Sequence, residues 1–161
     1  MIRMTQPEVA SFLGGRRTLN LASMGPDGNV HLVAMWYGFL DGANVSRPEI
    51  GFADGEIVIE TFAKSQKVKN FRRNSRFTAI VEAGAEYNEL QGVELVGSVS
   101  LIDDVAVVVE SCKAVLRRYQ DLAKPDDLQF AAEMAAQKRV CIKLHIDRVV
   151  SWDHTKLDVA Y

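Results

Sequence analysis

The chain has 161 residues, a formal net charge of −2 and 48% hydrophobic residues. That length suits one domain with a real core, and the composition excludes disorder as the default. Near-neutrality argues against duplex nucleic acid as a partner, and no apolar run approaches the roughly 20 residues that a membrane helix needs.

TQPE (5–8) reads as a capping box, with Thr5 as the cap and Glu8 reaching back to it. Val9, Phe12 and Leu13 give the short helix one apolar face, and Gly14-Gly15 ends it. TLNLASM (18–24) is a predicted strand, GPDGN (25–29) a turn, and VHLVAMWYGFL (30–40) a second strand that forms a hairpin with the first. Val30, Leu32, Ala34 and Trp36 share one face of that strand; His31, Val33, Met35 and Tyr37 share the other. Both faces are mainly apolar, so both should be covered, one by a barrel interior and the other by a partner or a ligand. DGANVSRPEIGFADG (41–55) is longer than a tight hairpin requires and is expected to form a flap.

EIVIETF (56–62) and RFTAIVEA (76–83) are the third and fourth strands, and VELVGSVSLI (93–102) is the fifth. Asp103 or Asp104 caps a long helix with Val105, Val108, Cys112, Val115, Leu116 and Tyr119 at helical spacing. KPDD (124–127) breaks it, a second helix runs to about Gln137, and RVCIKLHIDRVV (139–150) is the sixth strand. Many strands with a few peripheral helices imply a small antiparallel barrel.

The densest charge lies between strands three and four. No acid occurs between Glu60 and Glu82, whereas Lys64, Lys67, Lys69, Arg72, Arg73 and Arg76 all do. Read as a short helix, SQKVKNFRR has Ser65 at its N-cap and buries Val68 and Phe71. Arg72 and Arg73 suit the negative end of the helix dipole; Lys64 and Lys67 lie at the wrong end, where each is unfavourable by ~0.3–1 kcal/mol. An anion at that end reverses the sign, because free N–H groups, a hydroxyl and a lysine make a phosphate cradle. The plainer reading is a solvated basic face.

Other chemistry is sparse. His31, His145 and His154 show no metal-ligand spacing, so no metal site is expected. His31 and His145 fall on strands, and His154 is the better candidate for a ligand contact; Trp152 suits packing, a dimer contact or ring stacking. Cys112 and Cys141 read as core thiols of a cytoplasmic protein, and MIRMTQPEV shows no secretion signal. No GxSxG elbow or GxGxxG turn occurs, so catalytic residues stay unassigned.

Four stretches in order, LNLASMGPDGNVHLVAMWY, GEIVIETFAKSQKVKNFRRNSRF, GVELVGSVSLID and RVVSWDHTKL, resemble the FMN-binding split-barrel family, the pyridoxamine 5'-phosphate oxidase-like flavin and deazaflavin proteins. The resemblance runs from about residue 18 to 157 and is most specific in the SxKxxNxRRNxR element. It implies a mainly β fold, a six-stranded antiparallel split β-barrel with peripheral helices over residues 1–161, assembled as a homodimer. It implies that Val33, Ala34, Met35 and Trp36 lie along an isoalloxazine ring, and that Thr61, Ser65 and Lys67, with Lys64 beside them, hold the cofactor phosphate. Asn70 matches a recurrent family position. SWDHTKL resembles the branch that uses the deazaflavin coenzyme F420, whose polyanionic tail would also suit the surplus bases; FMN is the alternative. The Arg- and Pro-rich C-terminal substrate stretch of true pyridoxamine-phosphate oxidases has no counterpart here. The function implied is hydride transfer to a small unsaturated or quinone-like substrate, with the cofactor supplying the chemistry. The alternatives are a non-catalytic flavin- or haem-binding split barrel for storage or sensing, and an interaction domain without cofactor.

Overall fold

The computed structural model describes residues 2–40, 56–122 and 124–157, so the expected flap over 41–55 lies outside the described residues. Alternation sets the first strands. In β1 (Leu19–Met24), Leu19, Leu21 and Ser23 are buried and their neighbours are not. β2 (Val30–Met35) pairs with it antiparallel, Leu19 opposite Met35, across a turn where Gly28 takes φ 83°. A side chain is strained at that backbone angle; glycine is not.

β3 (Gly38–Leu40) follows β2 after only Trp36 and Tyr37, yet it pairs with β4 (Glu56–Phe62) rather than with β1. With β5 (Arg76–Ala83), β6 (Gln91–Ile102) and β7 (Arg139–Asp153), the sheet runs in the order β2-β1-β5-β6-β7-β4-β3, antiparallel throughout. Its two edge strands are therefore consecutive in sequence, and the sheet must curl until its edges meet. This corrects the expected six strands to seven among the described residues. The expected single strand over 30–40 is one line of chain that changes partner midway. Tyr37 marks the change: it is fully buried, its hydroxyl donates to the Leu13 carbonyl (2.7 Å), and its N–H faces the Tyr119 hydroxyl (3.5 Å).

Inside the curl, Leu19, Leu21, Ile59, Phe77, Val81, Leu95 and Ile142 form one apolar core. Helix α1 (Gln6–Gly14) covers one end, tied down by Met4 N–H to Ser151 Oγ (3.2 Å) and starting with Thr5 N–H to Glu8 Oε2 (2.6 Å) as its capping box predicts. Helix α2 (Gln66–Arg73) closes the other, burying Val68 and Phe71. A second, smaller core of Val58, Val108, Cys112, Ala132 and Cys141 lies outside the sheet. It forms beneath α3 (Val105–Tyr119), capped by Asp104, and α4 (Pro125–Ala136). KPDD thus opens α4 instead of merely breaking α3, with proline in its first turn and Asp126 and Asp127 at the positive end of the dipole.

β7 extends past the expected Val150 and carries a bulge. Val96 pairs with Arg148 but Gly97 with Ile146, which leaves Asp147 as the extra residue. A Cβ on Gly97 would lie 1.9 Å from the His145 carbonyl oxygen, so the close approach there requires glycine. The bulge reverses the alternation. Ile142 and Leu144 are buried before it and Ser151 and Asp153 after it, so Trp152 turns outward.

Lys138, between α4 and β7, has φ 77°. Its carbonyl accepts from Ala63 N–H (2.9 Å), so the backbone is pinned in this left-handed conformation. Lys138→Gly should stabilise the protein by about 0.5–1 kcal/mol by removing the Cβ clash. Lys138→Val should destabilise it, both changes being read from urea unfolding midpoints.

Candidate functional site

The end of β4 and the start of α2 bring three of the sequence-predicted residues together. Thr61 and Lys67 are buried, and Lys67 Nζ donates to Thr61 Oγ1 (3.1 Å). Ser65 lies in the turn between them, its N–H bonded to the Phe62 carbonyl (2.9 Å). Ser65 has N-cap geometry but makes no side-chain cap bond, and its Oγ is buried without any partner. An orphaned buried hydroxyl is costly. Here it stands at a helix N-terminus whose first N–H groups also lack a side-chain cap, the donor set of an oxyanion cradle. Lys64 belongs to the same turn but is exposed.

Electrostatics point the same way. Burial pulls the Lys67 ammonium below the ordinary lysine range, and the nearby Glu60 carboxylate offsets part of that shift. Glu60 is itself pushed up by burial, opposed by its ion pair with Arg139. Among the described residues, no carboxylate lies within ion-pairing distance of Lys67. The residues present therefore fit a phosphate monoester: one cation, two hydroxyls and open N–H groups.

The other bases do not form one basic face. Arg76 pairs with Asp147 (2.6 Å), and Arg73 donates to the Met24 carbonyl. No acid lies within this segment of the sequence, but the β7 bulge brings Asp147 to Arg76 from 71 residues away. Lys69 and Arg72 are exposed. Asn70 is fully buried, donating to Ser23 Oγ (3.0 Å) and accepting from Gln66 Nε2 (2.9 Å), so it fastens α2 to β1.

The second group of predicted residues lies on β2 and just beyond it. Val33 and Met35 pack inward on the core; Ala34 and Trp36 face out. Val30 and Leu32, at 60% and 63% exposure, continue that outward row. Beside it a groove of about 330 Å³ is lined by Asn20, Ala22, Leu32, Ile80, Glu94 and Trp152. Trp152 also packs flush against Gly92, where a Cβ would meet its ring at 2.1 Å. Trp36 stacks on Tyr119, whose helical spacing in α3 points only to packing.

The remaining candidates are engaged elsewhere. His154 Nδ1 lies 2.8 Å from the Tyr87 carbonyl, with the two rings 4.7 Å apart, and His145 Nε2 lies 2.7 Å from Ser100 Oγ. Burial pushes the Cys112 thiol up to about 12 and raises that of Cys141, so neither is poised as a thiolate. Among the described residues no group of His, Cys, Asp and Glu is placed to hold a metal ion.

A family model described as pyridoxamine 5'-phosphate oxidase matches residues 5–153. The chain belongs to the pyridoxamine 5'-phosphate oxidase family. No curated protein matches it. A conserved hypothetical protein from Mycobacterium tuberculosis has 34% identity to it and a TM-score of 0.85, covering 99% of this chain and 91% of that one. An F420 reductase (20% identity, TM-score 0.58, covering 86% and 93%) and a haem storage protein from Vibrio cholerae (11%, 0.63, 90% and 93%) share the fold. The chain's own curled antiparallel sheet is of the kind that the resemblance implied, and the family model carries the name of an oxidase. No helix of the described residues is long and apolar enough to cross a membrane.

Lys67 makes the site pH-dependent in a definite sense. Its folded pKa lies below the ordinary 10.5, so the charged form is the one that folding disfavours. That penalty is present at neutral pH and lifts as pH rises through the lowered pKa. A phosphate ligand needs the charged form. FMN or inorganic phosphate binding should therefore fall with rising pH, starting below 10.5. Lys67→Met should weaken FMN binding by ~1.5–3 kcal/mol, the scale of a hydrogen bond to a charged group, without lowering the melting temperature of the ligand-free protein. Calorimetric titration from neutral to alkaline pH, with thermal melts alongside, measures both.

Proposed function

We propose that this protein is an oxidoreductase that binds the deazaflavin coenzyme F420, with FMN as the alternative, and transfers a hydride to a small unsaturated or quinone-like acceptor. The observation that carries the reading is the buried Lys67–Thr61 pair beside the orphaned Ser65 hydroxyl at the start of α2. Those groups would hold the cofactor phosphate, with Lys64 at the rim. The cofactor, when bound, supplies the hydride chemistry. The protein's part is to hold the phosphate, orient the ring along Val33–Trp36 and keep water from its reacting face. Val33 and Met35 point inward, so they would meet a ring only through their backbone groups.

The choice of F420 rests on bases left over once the phosphate is held. Arg73 and Arg76 are occupied within the protein, which leaves Lys64, Lys69 and Arg72 exposed to attract a longer polyanionic tail. A homodimer belongs to the same reading. The row Val30, Leu32, Ala34 and the Trp152 groove make a continuous apolar surface beside the site, which a second copy would cover.

Three experiments test this reading. Titrating cofactor-free protein with F420 and FMN at low and high salt should show F420 binding more tightly and weakening more steeply with salt. Tighter FMN binding reverses the cofactor choice. A bound flavin or haem that supports no turnover with quinone or enone acceptors selects a storage or sensing protein instead. Sedimentation should show a dimer at micromolar concentration, and Leu32→Glu should shift it to monomer. A monomeric parent removes the dimer from the proposal.

A further inference from the structure

We propose that Tyr119, the last residue of α3, is a positioning residue that holds Trp36 as a stacking plate for one face of a planar ring bound beside β2. The flavin or deazaflavin reading above supplies the ring; the geometry of the plate comes from the protein alone.

The Trp36 and Tyr119 rings are parallel to within 2°, with centroids 4.6 Å apart. Trp36 nevertheless remains 44% exposed, so with one face on Tyr119 the opposite face of the indole is open. Tryptophan is highly buried on average, and an indole this exposed is more open than packing against Tyr119 requires. Tyr119, by contrast, is anchored. Its hydroxyl donates to the Arg17 carbonyl (2.6 Å) and lies 3.5 Å from Tyr37 N. The adjacent Arg118 reaches the carbonyls of Leu13 (3.1 Å) and Gly15 (2.7 Å) at the end of α1, and its guanidinium lies over Tyr37 at 4.5 Å. Tyr119 cannot swing away without breaking the joint between α1, α3 and the β2–β3 line, so the indole plane is set from behind.

The location suits a ligand. Gly38 pairs with Val58, and a Cβ on Gly38 would meet the Ala114 backbone of α3 at 2.6 Å, so the outward face of β3 is tightly covered. Along β2 the outward residues Val30, Leu32 and Ala34 are exposed. Trp36 stands at the boundary. Continued back from Gly38 opposite Val58, the β3–β4 register sets Trp36 level with Glu60, one residue from Thr61 of the anion cradle. The two tryptophans, Trp36 and Trp152, both face outward beside β2, but only Trp36 is backed by a parallel ring.

The test uses riboflavin, which carries the ring without the phosphate. A Trp152→Phe background leaves Trp36 as the sole tryptophan of the two. Riboflavin should quench Trp36 emission. Tyr119→Leu should weaken riboflavin binding roughly three- to ten-fold, the scale of one aromatic stack, lower the Trp36 anisotropy and raise its quenching by iodide. Tyr119→Phe, which keeps the ring, should retain most of the affinity. Trp36→Leu alters an exposed side chain and provides the check if Tyr119→Leu does not fold; it should lose riboflavin binding. No quenching up to the solubility limit of riboflavin, or equal affinity in the parent and Trp36→Leu, overturns the proposal. So does equal affinity and anisotropy in the parent and a folded Tyr119→Leu. Dependence of riboflavin on Trp36, with FMN indifferent to Lys67, would instead overturn the phosphate reading and leave the plate standing.

Discussion

The structure depends on a single change of partner. Residues 30–40 run in one direction, but the first half pairs with β1 and the second with β4, on opposite edges of the sheet. Because Trp36 and Tyr37 are all that separates the halves, the sheet has no freedom to lie flat. Curling makes an inside and an outside. Tyr37 then points into the core while Trp36 points out, the ordinary alternation of a strand applied at the point where the barrel closes. Arg118 and Tyr119 hold that point from outside and the carbonyl of Leu13 receives it from inside.

Closure also explains the uneven covering of the outer face. α3 and α4 pack over β4 and β7, where Val58 and Cys141 supply outward apolar residues for them. Among the described residues no helix covers β2, although its outward residues are just as apolar. A contiguous exposed apolar patch of this kind marks an interaction or ligand surface. The β7 bulge adds to this face by turning Trp152 outward, and the same extra residue provides the acid for Arg76. One backbone irregularity thereby both builds the apolar surface and neutralises part of the basic segment.

Much of this was legible in the sequence. The strands, the α1 capping box and the Asp104 cap follow from alternation and local chemistry, and appear nearly where expected. The partner change was not legible, because a run that is apolar on both faces looks the same whether it pairs with one strand or two. Nor was the bulge, since nothing local distinguishes Asp147 from a residue in register. Of the candidate site, Ser65 and Lys67 stood out through an N-cap residue and a cation at the wrong end of a helix. Their being buried, and the hydroxyl being unpartnered, needed the fold. The Glu60–Arg139 pair and the role of Tyr119 could not be read at all, because each joins positions brought together only by closure.

What distinguishes Lys67 from the five bases around it is therefore where its energy is spent. Exposed lysines and arginines keep their hydration, and Arg76 exchanges some of it for a carboxylate. Lys67 gives up most of its water for one hydroxyl, Thr61, beside a glutamate already committed to Arg139. A buried cation so poorly repaid is a stability liability in the isolated chain. Ser65 adds a second liability of the same kind three residues from the end of β4. A cation with a single hydroxyl partner and an unpartnered hydroxyl at one helix start share one remedy, an anion with several acceptor oxygens. The local cost and the proposed function have the same physical origin, and removing the first by substitution removes the second with it.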